Sequence, residues 1–179
     1  QFFGQAGAVY SPTLTVGGAG SWAEDYFQGE YDLWNDPKER RYLPWRRLMR
    51  ARHPEKRPLE SYSFPLMAET VADIKRAGGR IALGGHGEQA GLDTLWEMMV
   101  YGQALSPLEV LEIASKDGAY MAGLETQIGS LEAGKFADLV VLNNNPLDDI
   151  RNVADIAYVM KGGILYDDDT LDEIWPQTR

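Results

Sequence analysis

The chain has no cysteine and only 2 histidines among its 179 residues. Without cysteine there is no disulfide, no thiolate metal site and no cysteine nucleophile. Long apolar runs are absent too: no stretch approaches the roughly 18–20 residues that a membrane-spanning helix needs. Basic residues are scarce outside one segment, and the formal net charge is −10. That balance disfavours nucleic acid or an anionic membrane as a general partner. The first residues, Gln1-Phe-Phe-Gly-Gln5, carry no initiator Met and no basic segment leading into an apolar core, so they do not read as a signal peptide. The expectation is a fragment of a longer protein. What is present suits a globular domain: 44% of the residues are hydrophobic and 11% aromatic, in a length sufficient for one core.

The stretch Arg80-Ile-Ala-Leu-Gly-Gly-His-Gly-Glu88 organises the reading. Ile81, Ala82 and Leu83 form a short apolar run that starts after Gly78-Gly79 and stops at Gly84-Gly85. Such a run predicts a buried parallel strand: too short for a helix, apolar on both faces, bounded by turn residues. Glycines at its end let another backbone come close. His86 stands among them. In a barrel of parallel strands the chemistry sits where the strands run out, which makes His86 the first candidate. Glu88 lies two residues on, and an extended backbone turns both side chains the same way. It reads either as a group that orients His86 or as a solvated loop carboxylate.

Upstream, Val9–Val16 reads as a strand rich in β-branched residues, with Pro12 marking an edge or a beginning. Residues 19–60 show no sustained period of 2 or 3.6 and hold many aromatics and prolines, so they are expected to form a packed, irregular lid. Trp22, Tyr26 and Trp34 are candidates to line a substrate pocket there, the alternative being packing within the lid itself. Lys38 to Arg57 contains nine Lys and Arg against two acids, a local +7 in a chain of −10. This is either a solvated loop pairing with acidic surface such as Asp167-Asp168-Asp169, or an anion-attracting rim. His53, in the polar Arg52-His53-Pro54-Glu55, reads as a surface histidine.

From Pro65 to Ala77 the spacing predicts a helix, with Leu66, Val71, Ile74 and Ala77 on one face and Gly78 as its C-cap. A strand, an insertion, a helix and a second strand imply a parallel pair. A helix over Leu92–Tyr101 follows. Ser106-Pro107-Leu108-Glu109 then announces another helix, with a serine cap, a proline in the first turn and a glutamate to close a capping box. A short helix is expected around Gly118–Ala122, ended by Gly123. The last third alternates strands without helices, including a hairpin over Ile156–Tyr166 that turns at Gly162-Gly163. Gly134-Lys135 is no phosphate loop, because no Ser or Thr follows the lysine.

These residues resemble the C-terminal part of the amidohydrolase superfamily, in its imidazolonepropionase- and prolidase-like branch. The resemblance rests on Ile128-Gly-Ser-Leu-Glu-Ala-Gly-Lys-Phe-Ala-Asp-Leu-Val-Val-Leu142 with Asn145-Pro146-Leu147, on Val159-Met-Lys-Gly-Gly-Ile-Leu-Tyr166, and on Ser106–Ser115 followed by Gly118–Leu124. It implies an α/β fold: the C-terminal part of a (β/α)8 barrel, with strand seven at Thr13–Gly17 and strand eight at Arg80–Gly84, over residues 1–127. Residues 128–179 would supply the C-terminal half of a small β-sandwich and a tail. The implied activity is metal-dependent hydrolysis of a C–N bond, in an amide or cyclic amide of a small-molecule or peptide-like substrate.

Members of this family hold divalent metal, often zinc, through a His-x-His and further strand-end residues that this chain does not contain. At the end of strand eight they usually carry an Asp, where this sequence has His86. An imidazole there could ligate the metal or accept a proton. The resemblance therefore implies a metal in the intact protein, with His86 as catalytic residue or ligand, and no tightly bound metal in this chain alone. The missing N-terminal portion or another chain would complete the site, and open strand edges predict self-association. The other reading is a non-catalytic scaffold or interaction module that keeps the fold.

Overall fold

Two short strands lie side by side in parallel: β1, Val9–Tyr10, and β2, Arg80–Ile81, with Val9 opposite Arg80 and Tyr10 opposite Ile81. The structure, a computed structural model, describes residues 6–17, 23–53, 57–86 and 91–176. Beyond the ladder the two segments stay together. The Ala82 N–H donates to the Tyr10 carbonyl at 3.0 Å, and Ser11 Oγ donates to the Leu83 carbonyl at 3.2 Å. Ile81 and Ala82 are fully buried. The parallel pair expected from sequence is present, but it is shorter than Val9–Val16 and Arg80–Gly84, and Thr13–Gly17, the expected strand seven, forms no strand. Pro12 has no N–H to give a ladder, and the Leu14 and Thr15 N–H groups go to the Glu97 side chain.

Between the strands run helices, which corrects the expectation of an irregular excursion over 19–60. They are α1 (Ala23–Glu30), α2 (Pro37–Tyr42), α3 (Trp45–Arg50), a 3₁₀ turn at Leu59–Ser61, and α4 (Phe64–Arg76). Helices of six to eight residues are too short to display a 3.6 period, so their caps carry the signal instead. Asp36 accepts from the N–H groups of Lys38 and Glu39 at 2.8 and 3.1 Å, with Pro37 in the first turn.

α4 buries Phe64, Ala68, Val71 and Ala72. Leu66, expected on that face, is 74% exposed: it lies two residues from Phe64 and so on the far side of the helix. Gly78, at φ +83°, ends α4, and its N–H donates to the Lys75 carbonyl while that of Gly79 reaches Ile74. The chain then enters β2.

After β2 come α5 (Leu92–Tyr101), α6 (Pro107–Glu112), a π-helical turn over Ile113–Asp117 and α7 (Gly118–Met121). The Ser106–Glu109 capping box forms as its spacing predicts, and Gly123 at φ +69° stops α7. The core gathers α1, α4, α5 and β2 around aromatic rings: Phe27 stacks on Trp96 at 5.5 Å, and Tyr26 meets Phe27, Tyr62 and Phe64.

The C-terminal third is one antiparallel sheet in the order β3 (Leu139–Leu142), β4 (Ile156–Lys161), β5 (Ile164–Asp167), β6 (Glu173–Trp175). The hairpin turns at Gly162-Gly163, both with positive φ, as a tight two-residue turn requires. β6, which sequence reasoning did not anticipate, pairs with β5. α2 reaches this sheet. Lys38 pairs with Asp168, and Tyr42 Oη donates to the Thr170 carbonyl at 3.1 Å. Part of the basic segment therefore meets the acidic turn that its charge suggests.

Beyond the strand pair the backbones come close at Gly84, where an added Cβ would lie 2.2 Å from the Pro12 carbonyl oxygen. At Gly85 the nearest group would be Thr94 Oγ1 at 3.6 Å, an ordinary contact. Gly84→Ala is therefore expected to cost about 1–3 kcal/mol through overpacking, while Gly85→Ala is near neutral. Denaturant unfolding of both variants checks this, and equal losses would contradict it.

Candidate active site

The candidate site is the face where β1 and β2 run out. On the β2 side the chain passes through Gly84 and Gly85 to His86, which is exposed. On the β1 side it passes through Pro12, Thr13, Leu14 and Thr15. The two segments touch, with Gly84 packed on the Pro12 carbonyl and near Thr13 Oγ1.

The strongest feature here escaped sequence reasoning. α5 turns a polar stripe inward at Asp93, Glu97 and Tyr101, spaced one per turn, and all three are buried. The Glu97 carboxylate, 0% exposed, accepts the Leu14 N–H on Oε1 at 2.6 Å and the Thr15 N–H on Oε2 at 2.9 Å. One turn further, Tyr101 Oη donates to the Pro12 carbonyl at 3.1 Å. The Thr15 carbonyl in turn accepts from the backbone N–H of Glu24 at 3.0 Å, at the start of α1. A polar stripe within Leu-Asp-Thr-Leu-Trp-Glu-Met-Met-Val-Tyr was the available signal, since residues at i, i+4 and i+8 share a face, in a helix whose other positions are largely apolar.

Burial pushes the Glu97 carboxyl up to about 7, the hydrogen bonds from Leu14 and Thr15 oppose the rise, and the neighbouring Asp93 adds to it. Burial also raises the Tyr101 hydroxyl, with the Glu97 charge and Tyr10 contributing.

The other sequence candidates are scattered. Tyr26 sits in the aromatic core beside Phe27, Tyr62 and Phe64. Trp34 tilts against Trp45 at 5.4 Å, with the guanidinium groups of Arg40 and Arg52 over its ring. Those contacts put the two rings in separate clusters. His53 is exposed. Trp22 and Glu88 lie outside the described residues. Among the described residues no three His, Cys, Asp or Glu side chains cluster so as to hold a metal ion. A divalent metal at this face would need ligands from elsewhere.

The model of the Amidohydrolase family matches residues 68–165. S-triazine hydrolase of Gordonia rubripertincta is 49% identical over 39 residues, 22% of this chain and 8% of that protein. Imidazolonepropionase of Streptococcus gordonii is 31% identical over 98 residues, covering 50% of this chain and 32% of that protein. Among solved structures, a Xaa-Pro dipeptidase with methionine bound in its active site superposes with a TM-score of 0.61 at 23% identity, over 92% of this chain and 36% of the other. The chain thus spans about a third or less of the length of these relatives.

The Glu97 carboxyl titrates near 4.5 when unfolded and near 7 when folded. The unfolded chain loses its proton first, so stability is highest below about pH 4.5 in this respect and falls as pH rises toward 7. The expected loss is on the order of 3 kcal/mol. In Glu97→Gln that part of the slope should vanish. Urea unfolding of both proteins at pH 5 and pH 8 checks it, and parallel pH dependences would rule it out.

Proposed function

Because this chain belongs to the amidohydrolase family, we propose that it is the C-terminal part of a hydrolase that cleaves a C–N bond in an amide or cyclic amide. The observation that carries the reading is the position of His86: exposed, and downstream of parallel strand β2 past Gly84, whose backbone abuts the segment leaving β1. In this reading β1 and β2 correspond to barrel strands seven and eight, their ends form part of the catalytic face, and the β3–β6 sheet is the C-terminal half of a small sandwich. The substrate is small or peptide-like, in keeping with the names of a dipeptidase and a triazine hydrolase among the similar proteins.

The chemistry assigned to this chain is proton transfer. Water attacking a carbonyl carbon must lose a proton as the C–O bond forms, and the departing nitrogen must gain one. A neutral imidazole near pH 7 serves the first need and its protonated form the second. In this reading that role falls to His86, the exposed imidazole beyond β2. The divalent metal of this reading, zinc in the first instance, needs about three protein ligands and an open position. As the alternative to proton transfer His86 would be this chain's ligand to that metal, and the remaining ligands would come from a part of the protein outside this chain or from another chain.

In the intact protein, His86→Ala is expected to lower turnover by about two or more orders of magnitude, with the melting temperature nearly unchanged because the residue is exposed. His86→Asp should retain much of the activity, since a carboxylate also accepts a proton. Turnover and melting temperature measured on the same three proteins test the assignment. Wild-type turnover in the Ala variant would end it.

A further inference from the structure

We propose that Glu97 is a positioning residue for the catalytic face: through its two carboxylate oxygens it fixes the segment Pro12–Thr15, and through that segment the glycine turn that leads to His86. The clamp stands on geometry. Its bearing on turnover rests on the hydrolase reading above.

The Leu14 and Thr15 N–H groups belong to buried residues that make no strand ladder, and a buried N–H must find an acceptor. One carboxylate takes both, at 2.6 and 2.9 Å. Two parallel N–H···O bonds to one planar group set both distance and orientation, as a single contact cannot. The segment has little freedom left. Tyr101 holds its start at the Pro12 carbonyl and Glu24 N–H holds its end at the Thr15 carbonyl.

On the opposite side the Pro12 carbonyl and Thr13 Oγ1 press on Gly84, so close that a Cβ would meet them at 2.2 and 2.7 Å. A shift of Pro12–Thr15 toward β2 is thus transmitted to Gly84, two residues before His86. α5, which carries Glu97, starts six residues after His86 and is anchored by Trp96 stacked on Phe27. The helix leaving one strand end therefore braces the other.

The titratable groups around the carboxylate are few. Asp93 and Tyr101 share its helix, Tyr10 on β1 acts on Tyr101, and Glu24, also buried, heads α1. No cation acts on it in the described surroundings. Glu97 is therefore held by amides rather than by an ion pair, and its ionisation is felt first by Leu14 and Thr15.

The experiment is an amide NMR titration of the full chain from pH 5 to pH 9, followed by kinetics of the intact protein. The Leu14 and Thr15 amide protons should move downfield together with a single midpoint as Glu97 ionises, because a hydrogen bond to a charged acceptor is the stronger one. The Ala82 amide, bonded to Tyr10 across β1 and β2, is the internal control and should not follow.

In Glu97→Gln the amide of the new side chain opposes one of the two N–H groups. The joint titration should disappear, and turnover per folded molecule should fall about 10- to 100-fold, the scale of a small misplacement of reacting groups. The wild-type titration needs no variant, so a Gln protein that fails to fold does not spare the proposal. Leu14 and Thr15 amides that ignore the titration would overturn it, as would a folded Gln variant with wild-type turnover. An intact protein that hydrolyses no amide would instead remove the hydrolase reading, and the amide titration alone would then decide the clamp.

Discussion

One buried carboxylate carries a disproportionate share of this structure. Glu97 sits in the half of its helix where Trp96 to Tyr101 are all buried, and a carboxylate in such a place is unfavourable unless hydrogen bonds replace water. The N–H groups of Leu14 and Thr15 supply them, and those groups were themselves in need of an acceptor. Each side solves the other's desolvation problem. The hydrogen bonds do not cancel the burial penalty, so the carboxyl still holds its proton more tightly than usual.

Much else follows from having that segment held. β1 and β2 make only a two-residue ladder, too little to define a sheet by itself. Their relation is kept by what surrounds the ladder: Gly84 against Pro12, Tyr101 on the Pro12 carbonyl, and the rings of Phe27 and Trp96 stacked where α1 crosses α5. The helices between the strands are short and bring few apolar residues each, yet Phe27, Leu33, Leu43 and Leu48 are all buried. An excursion that looked irregular thus becomes a packed layer, tied at its far end to the C-terminal sheet through Lys38–Asp168 and Tyr42–Thr170.

The sequence was most legible where local chemistry decides structure. The Ser106–Glu109 capping box, the bounds of the Leu92–Tyr101 helix, the glycine stop at Gly78 and the Gly162-Gly163 hairpin all follow from interactions within a few residues. It was least legible where a residue's partner is far away in the chain. Leu66 belonged to a plausible apolar stripe, but the neighbours of α4 pack on Phe64, Ala68, Val71 and Ala72. Residues 11–16 have strand-like composition, but the N–H groups of Leu14 and Thr15 meet a side chain more than eighty positions on.

For the candidate site the division is similar. Sequence alone determined that cysteine chemistry is excluded, that a short apolar run ends in glycines and a histidine, and that the last third forms an antiparallel sheet. These rest on residue identity and on periods of two or four residues. Only the tertiary structure decided which segment lies against Gly84, that Tyr26 and Trp34 belong to different clusters, and that Asp93, Glu97 and Tyr101 face inward. The reason is physical: a carboxylate's role depends on what surrounds it. Glu97 reads as an ordinary helix glutamate until the fold removes the water and brings two amides within reach.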